Sequence, residues 1–165
     1  MEGKKSKPRA ILVFGAPCSG KTTFAEKFAE KFDLTYYNLN EIKEKYQFSH
    51  DVIVEILEII AQTKRTLVIE GGVDTEAERR ALRQAFRKVG YNVALVWIQT
   101  DVANIRMRLK SRYKTVAEAK RIYEEAVASM EAPTYSEKPI ILSGKHTFET
   151  QTKHVLSGLA DANKR

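Results

Sequence analysis

The chain has 165 residues, of which 43% are hydrophobic and 30% charged, with a formal net charge of +7 and a single cysteine, Cys18. This length buries about 70% of the unfolded chain's surface, enough for one domain without disulfide or metal staples. One cysteine excludes an intramolecular disulfide and points to a reducing compartment, read here as the cytoplasm. No apolar run nears the roughly 20 residues that cross a bilayer, so no membrane partner is expected. The basic balance favours anionic ligands by raising encounter rates, without choosing among them. Part of it sits in Lys4, Lys5, Lys7 and Arg9, read as a flexible basic N-terminus over residues 1–9, and part in Lys164 and Arg165. Residues 10–165 are read as the single domain.

Along that domain, strand and helix patterns alternate. Ala10 to Phe14 is a short unbroken apolar run, the pattern of a strand covered on both faces. From Lys21 to Phe32 the period changes, with Phe24, Phe28 and Phe32 four apart on one helical face. Leu34 to Tyr37 is a second short strand. Asn40 to Ile60 is helical in two pieces, broken around Gln47 to His50; Val52, Ile53, Ile56, Leu57 and Ile60 make an inward stripe on the second piece. Thr66 to Glu70 is a buried strand that ends at Gly71-Gly72. Thr75 and Glu78 form a capping box for a helix that turns Ala81, Leu82, Ala85 and Phe86 inward and stops at Gly90. Tyr91 to Ile98 is the longest strand, and Asp101 caps a helix over Val102 to Arg112. Thr115 and Glu118 form a second capping box, for a helix that reaches about Glu131. Ile140 to Leu142 is the last strand; a final helix from about Thr150 buries Val155, Leu156 and Leu159. Five buried strands separated by helices predict a three-layer α/β/α fold with a parallel sheet.

The chemistry concentrates between the first strand and the first helix. Gly15-Ala16-Pro17-Cys18-Ser19-Gly20-Lys21-Thr22 fits G-x-x-x-x-G-K-[ST] in the context that gives the pattern meaning, a buried strand before it and an amphipathic helix after it. Glycines at both ends let the chain turn tightly and bring its amides close to phosphate oxygens. Those amides and the helix N-terminus form an anion nest. Lys21 supplies a charge that reaches the β- and γ-phosphates, and the Thr22 hydroxyl, with Thr23 beside it, is placed for Mg²⁺. ATP is the expected substrate and Mg²⁺ the expected cofactor. Glu70, at the end of another buried strand, is the candidate to hold Mg²⁺ through water or to take the acceptor's proton. Arg108 and Arg112 lie four apart, on one helix face, where they can clamp a transferring phosphoryl group.

The combination of GAPCSGKT, a strand ending in an acid followed by Gly-Gly-Val-Asp-Thr, and Arg-Leu-x-x-Arg resembles the small P-loop kinases. Within them it is most similar to the polynucleotide-kinase and zeta-toxin-like branch, the AAA-domain type, over Ala10 to about Leu159. The resemblance implies a sheet order of 2-3-1-4-5, a short lid carrying Arg108 and Arg112, and an acceptor site after the second strand. The chain departs from the pattern there: Asn40 stands where the family carries an Asp base, and Lys43 where it carries an Arg. Either Glu41 or Glu70 substitutes, or the acceptor is a phosphate that needs no base, or activity is lost. Asn40, Glu41, Lys43 and Asp74 are therefore the expected acceptor contacts.

Three readings follow: a kinase for a small hydroxyl or phosphate acceptor, an ATP-binding sensor with little catalysis, or a nucleic-acid 5′-end kinase that uses Arg80, Arg83 and Arg87 as a basic track. No N-K-x-D-like guanine-reading motif is present, which argues against a GTPase, and the length leaves no room for the added helical domain of a ring-forming AAA+ motor.

Overall fold

A computed structural model describes residues 7–163; Lys4, Lys5, Lys164 and Arg165 lie outside them. The elements alternate as the apolar runs require: β1 (Arg9–Phe14), α1 (Lys21–Lys31), β2 (Thr35–Asn38), α2 (Leu39–Tyr46), α3 (His50–Ala61), β3 (Leu67–Glu70), α4 (Glu76–Lys88), β4 (Asn92–Gln99), α5 (Val102–Arg112), α6 (Val116–Ser129), a 3-10 turn (Tyr135–Glu137), β5 (Ile140–Ser143) and α7 (Phe148–Asn163). All strand pairs are parallel, in the order β2-β3-β1-β4-β5. β1 is central, and the chain leaves it toward β2 on one side while β4 lies on the other. That divergence opens a crevice at the C-terminal end of β1, the position where open α/β sheets bind ligands.

Both faces of the sheet are buried, which explains the unbroken apolar runs. Side chains alternate along β1: Ala10, Leu12 and Phe14 join Ile69, Leu95, Ile53, Leu57, Leu82 and Phe86 under α3 and α4. Ile11 and Val13 join Val68, Val96, Phe24, Phe28 and Val155 under α1 and α7. Phe14 also stacks on Trp97 of β4, ring centroids 5.8 Å apart. A smaller cluster of Ile105, Leu109 and Ala119 holds α5 against α6.

Helix ends follow local chemistry closely. α4 begins with the complete Thr75–Glu78 capping box. It ends in a Schellman arrangement, with the Gly90 amide donating to the Arg87 carbonyl and the Tyr91 amide to the Phe86 carbonyl, each at 3.0 Å. The accompanying apolar contact is the Phe86–Tyr91 ring pair. Asp101 caps α5 through the Asn104 amide. At α6 only Thr115's half of the expected box is made, accepting from the Glu118 amide.

Three apolar side chains expected inside are exposed: Val52 and Ile56 on α3 and Leu156 on α7. α3 has one layer beneath it and solvent above, so only Ile53, Leu57, Ala61 and the half-buried Val54 and Ile60 reach the core. Phe32 likewise falls at the end of α1, half out of the core that takes Phe24 and Phe28.

Candidate functional site

The phosphate-loop sequence forms the turn between β1 and α1. A Cβ on Gly15 would stand 2.5 Å from the Ile98 carbonyl oxygen and 2.8 Å from Ser19 Oγ, so no other residue fits where the loop leaves the sheet. Within the loop, Cys18 takes a left-handed φ of 60°, and the Ser19 amide donates to the Ala16 carbonyl at 3.1 Å. Ser19 is buried beneath the loop, where its carbonyl accepts from Thr100 Oγ1 at 2.9 Å.

Among the described residues, the start of α1 is unlike every other α-helix start. α2 to α7 each begin with a side chain accepting from an early amide: Asn38, Ser49, Thr75, Asp101, Thr115 and Thr147. α1 begins at Gly20 with no side-chain cap and no acidic residue in its first turn. Its first amides have no partner within the helix. They and the positive end of the helix dipole face a cavity of about 810 Å³.

Pro17, Cys18, Gly20, Lys21, Thr22 and Thr23 line that cavity, while Gly15, Ala16 and Ser19 do not. Register brings the acid to the loop: Glu70 pairs with Val13 on one side and with Asn38 on the other. Glu70 is 2% exposed, yet both carboxylate oxygens are satisfied. Thr22 Oγ1 donates to Oε1 at 2.6 Å, and the Tyr36 hydroxyl donates to Oε2 at 2.5 Å. Burial, followed by the bond to Glu70 and that acid's charge, pushes the Tyr36 phenol well above its ordinary range, so it stays a donor.

On the β5 side, Arg108 spans two segments. Its Nη1 donates to the Cys18 carbonyl at 3.0 Å and its Nη2 to the Gly144 carbonyl at 3.3 Å. Arg112 lines the same wall one turn further along α5. On the β2 side the wall is the start of α2. Asn38 accepts from the Asn40 and Glu41 amides and donates to Glu41 Oε1 at 3.0 Å. Asn40, Glu41 and Glu44 then face the cavity. This close seat depends on Gly71 and Gly72, which have φ of 79° and 63°. A Cβ on Gly71 would lie 2.5 Å from Asn40 Cγ, and one on Gly72 3.0 Å from Leu39 Cδ1.

Lys43 and Asp74 do not line the cavity. Asp74 sits in the loop after β3, where burial and the charge of Glu78 hold its carboxyl above the usual range against the opposing pull of Lys21, Arg79 and Lys43. The α4 arginines are not the simple track the sequence suggested. Arg83 is half-buried and its Nη2 donates to the Glu137 carbonyl at 2.7 Å, leaving Arg80 and Arg87 exposed.

Two site-supporting residues escaped the sequence reading. Tyr36 was legible only as an apolar strand residue; its signal is its place two positions before Asn38, on the strand beside the acid. Arg79 is 0% exposed and ties the loop after β3 to the connection before β5. It makes a forked pair with Glu137 at 2.7 and 3.1 Å and donates to the carbonyls of Val73, Asp74 and Glu131. Its position in a helix with four other basic residues gave no hint of burial.

The sheet order, the phosphate loop after the central strand and the arginine-bearing helix over it define a small P-loop kinase, a nucleotide-binding phosphotransferase class. Residues 11–135 match the AAA domain family model AAA_33, and the chain belongs to that family. Among curated proteins it is similar to a cytidylate kinase of Staphylothermus marinus, 31% identical over 121 residues covering 68% of this chain and 63% of that enzyme. The chain thus spans under two thirds of that relative's length. Among solved structures it is similar to a sugar kinase of Janibacter sp. HTCC2649, with TM-score 0.70 and 19% identity over 93% of this chain and 95% of the other. A gluconokinase of Sinorhizobium meliloti 1021 follows at TM-score 0.69 and 18% identity, over 94% and 93%. At these identities the two structures share the fold. Among the described residues, no helix is long and apolar enough to cross a membrane.

Proposed function

We propose that the protein transfers the γ-phosphoryl group of ATP to a small acceptor bound between the phosphate loop and the start of α2. The observation that carries this reading is the α1 N-terminus, the one α-helix start among the described residues left without a side-chain cap, opening into the cavity that holds Lys21, Thr22 and both lid arginines. A triphosphate would complete that helix end, and Lys21 would follow its outer phosphates.

The donor set fits Mg²⁺, which prefers hard oxygen ligands: Thr22 Oγ1 would bind it directly, and Glu70 would hold it through water. Bound there, Mg²⁺ would supply positive charge against the phosphates. Glu70 is suited to holding Thr22 and a metal-bound water, because both its oxygens already accept strong donors. Arg108, held over the loop by the Cys18 carbonyl, and Arg112 beside it supply charge where the transferring group would carry it.

Lys21→Ala should abolish ATP-dependent transfer while leaving the fold intact. Wild type should be stabilised by Mg·ATP, by about 2.7 kcal/mol at a hundredfold excess over Kd. Absence of any calorimetric or thermal-shift response to Mg·ATP would overturn the proposal. A second reading, a nucleotide sensor with little catalysis, draws on Asn40, whose amide cannot take up an acceptor proton. Tight Mg·ATP binding with no transfer would favour it.

A further inference from the structure

The cavity is electrically lopsided, and the asymmetry bears on the acceptor. Its β5 side carries Arg108 and Arg112; its β2 side carries Glu41 and Glu44, and the other lysines that line it, Lys21 and Lys27, belong to α1. Lys43 and Lys45, the lysines of α2's last turn, are off the wall. Proteins hold a phosphate acceptor with forked arginines or several converging donors. The β2 side instead offers two carboxylates and the amides of Asn38 and Asn40, groups suited to hydroxyls and amines and repellent to anions.

Resting on the kinase reading above, we infer that the acceptor is a hydroxyl compound bearing no anionic group, such as a neutral sugar, a polyol or an amino alcohol, and that Glu41 is its base. Glu41 Oε1 is held by Asn38 Nδ2 at 3.0 Å, while Oε2 takes no hydrogen bond among the described residues. That geometry orients the carboxylate and leaves one oxygen for an acceptor. In the transfer, the acceptor oxygen bonds to the γ-phosphorus as the bond from phosphorus to the β,γ-bridging oxygen breaks. ADP leaves with that electron pair, and the hydroxyl proton passes to Glu41 Oε2. The missing acid at position 40 is then replaced by the next residue along.

The test is a steady-state assay of ADP release by the full chain with Mg·ATP. One set of acceptors is glucose, glycerol, inositol, glucosamine and ethanolamine; the other is CMP, gluconate and glucose 6-phosphate. At least one member of the first set should exceed every member of the second by 100-fold or more in kcat/KM. Glu41→Gln should lower kcat with that acceptor by about 100-fold or more, with Mg·ATP affinity retained by calorimetry. The double variant Glu41→Gln/Glu44→Gln should lower the KM for CMP and gluconate. Any of CMP, gluconate or glucose 6-phosphate outperforming every member of the first set overturns the inference, as does Mg·ATP binding without transfer to any of the first set. Failure to bind Mg·ATP at all would instead remove the kinase reading beneath it.

Discussion

Arg79→Met is the sharpest probe of how this fold holds its site together. The guanidinium is fully buried, 5.3 Å over the Phe14 ring, and forms the fork to Glu137 together with bonds to three carbonyls. Methionine fills much of the volume but leaves the Glu137 carboxylate, 9% exposed, without its counter-ion and the Val73, Asp74 and Glu131 carbonyls without a donor. Removing one member of a buried pair costs about 3–5 kcal/mol. Against a total stability of roughly 5–15 kcal/mol, that is a large fraction. At about 2–4 °C per kcal/mol for a chain this size, the midpoint should fall by about 6–20 °C. Urea unfolding followed by fluorescence of the lone Trp97, itself stacked on Phe14, reads the change directly. Arg79→Met/Glu137→Met should recover a large part of the loss, because no uncompensated charge is then left inside. If the single variant costs under about 1 kcal/mol, or the double is worse than the single, the buried fork is not what organises these loops.

Two further outcomes are expected. Tyr36→Phe leaves Glu70 Oε2 with no donor and should cost about 1–3 kcal/mol in urea unfolding. It should also flatten the alkaline fall in stability, because the raised phenol is worth most below its unfolded value near 10 and loses that worth as the pH climbs. Asp74→Asn should be more stable than wild type at pH 7. The buried acid's folded value is raised, so its contribution is intact below an unfolded value near 3.9 and drains away as pH rises through the folded one. Thermal midpoints of the two proteins should therefore converge toward pH 4, and a constant gap between pH 4 and 8 would contradict the cause given.

The central part of the site was readable from the sequence because it is local. A phosphate loop is eight consecutive residues, and its context is one strand and one helix on either side. Cap residues are equally local, so Thr75, Asp101 and Thr115 declared their helices. Residues whose role depends on another strand or loop were not readable. Tyr36 matters because β2 lies beside β3 in register, and Arg79 because Glu137, 58 residues on, folds back over it. The same reason turned Val52, Ile56 and Leu156 outward: an apolar stripe marks which face of a helix is inward, while the width that gets covered is set by how many neighbours pack there. Arg83 illustrates the reverse, a basic residue drawn partly inside because a carbonyl on the far connection needed a donor.

The seating of α2 on bare backbone has a practical corollary for anyone redesigning this protein. Positions 39, 40, 71 and 72 form a fixed mount: bulk added at either glycine drives into the helix it carries. Glu41 and Glu44, three residues apart and thus neighbours on one side, project from that mount into open space. Under the acceptor site proposed above, selectivity would be rewritten at those two places while the scaffold that aims them is left alone.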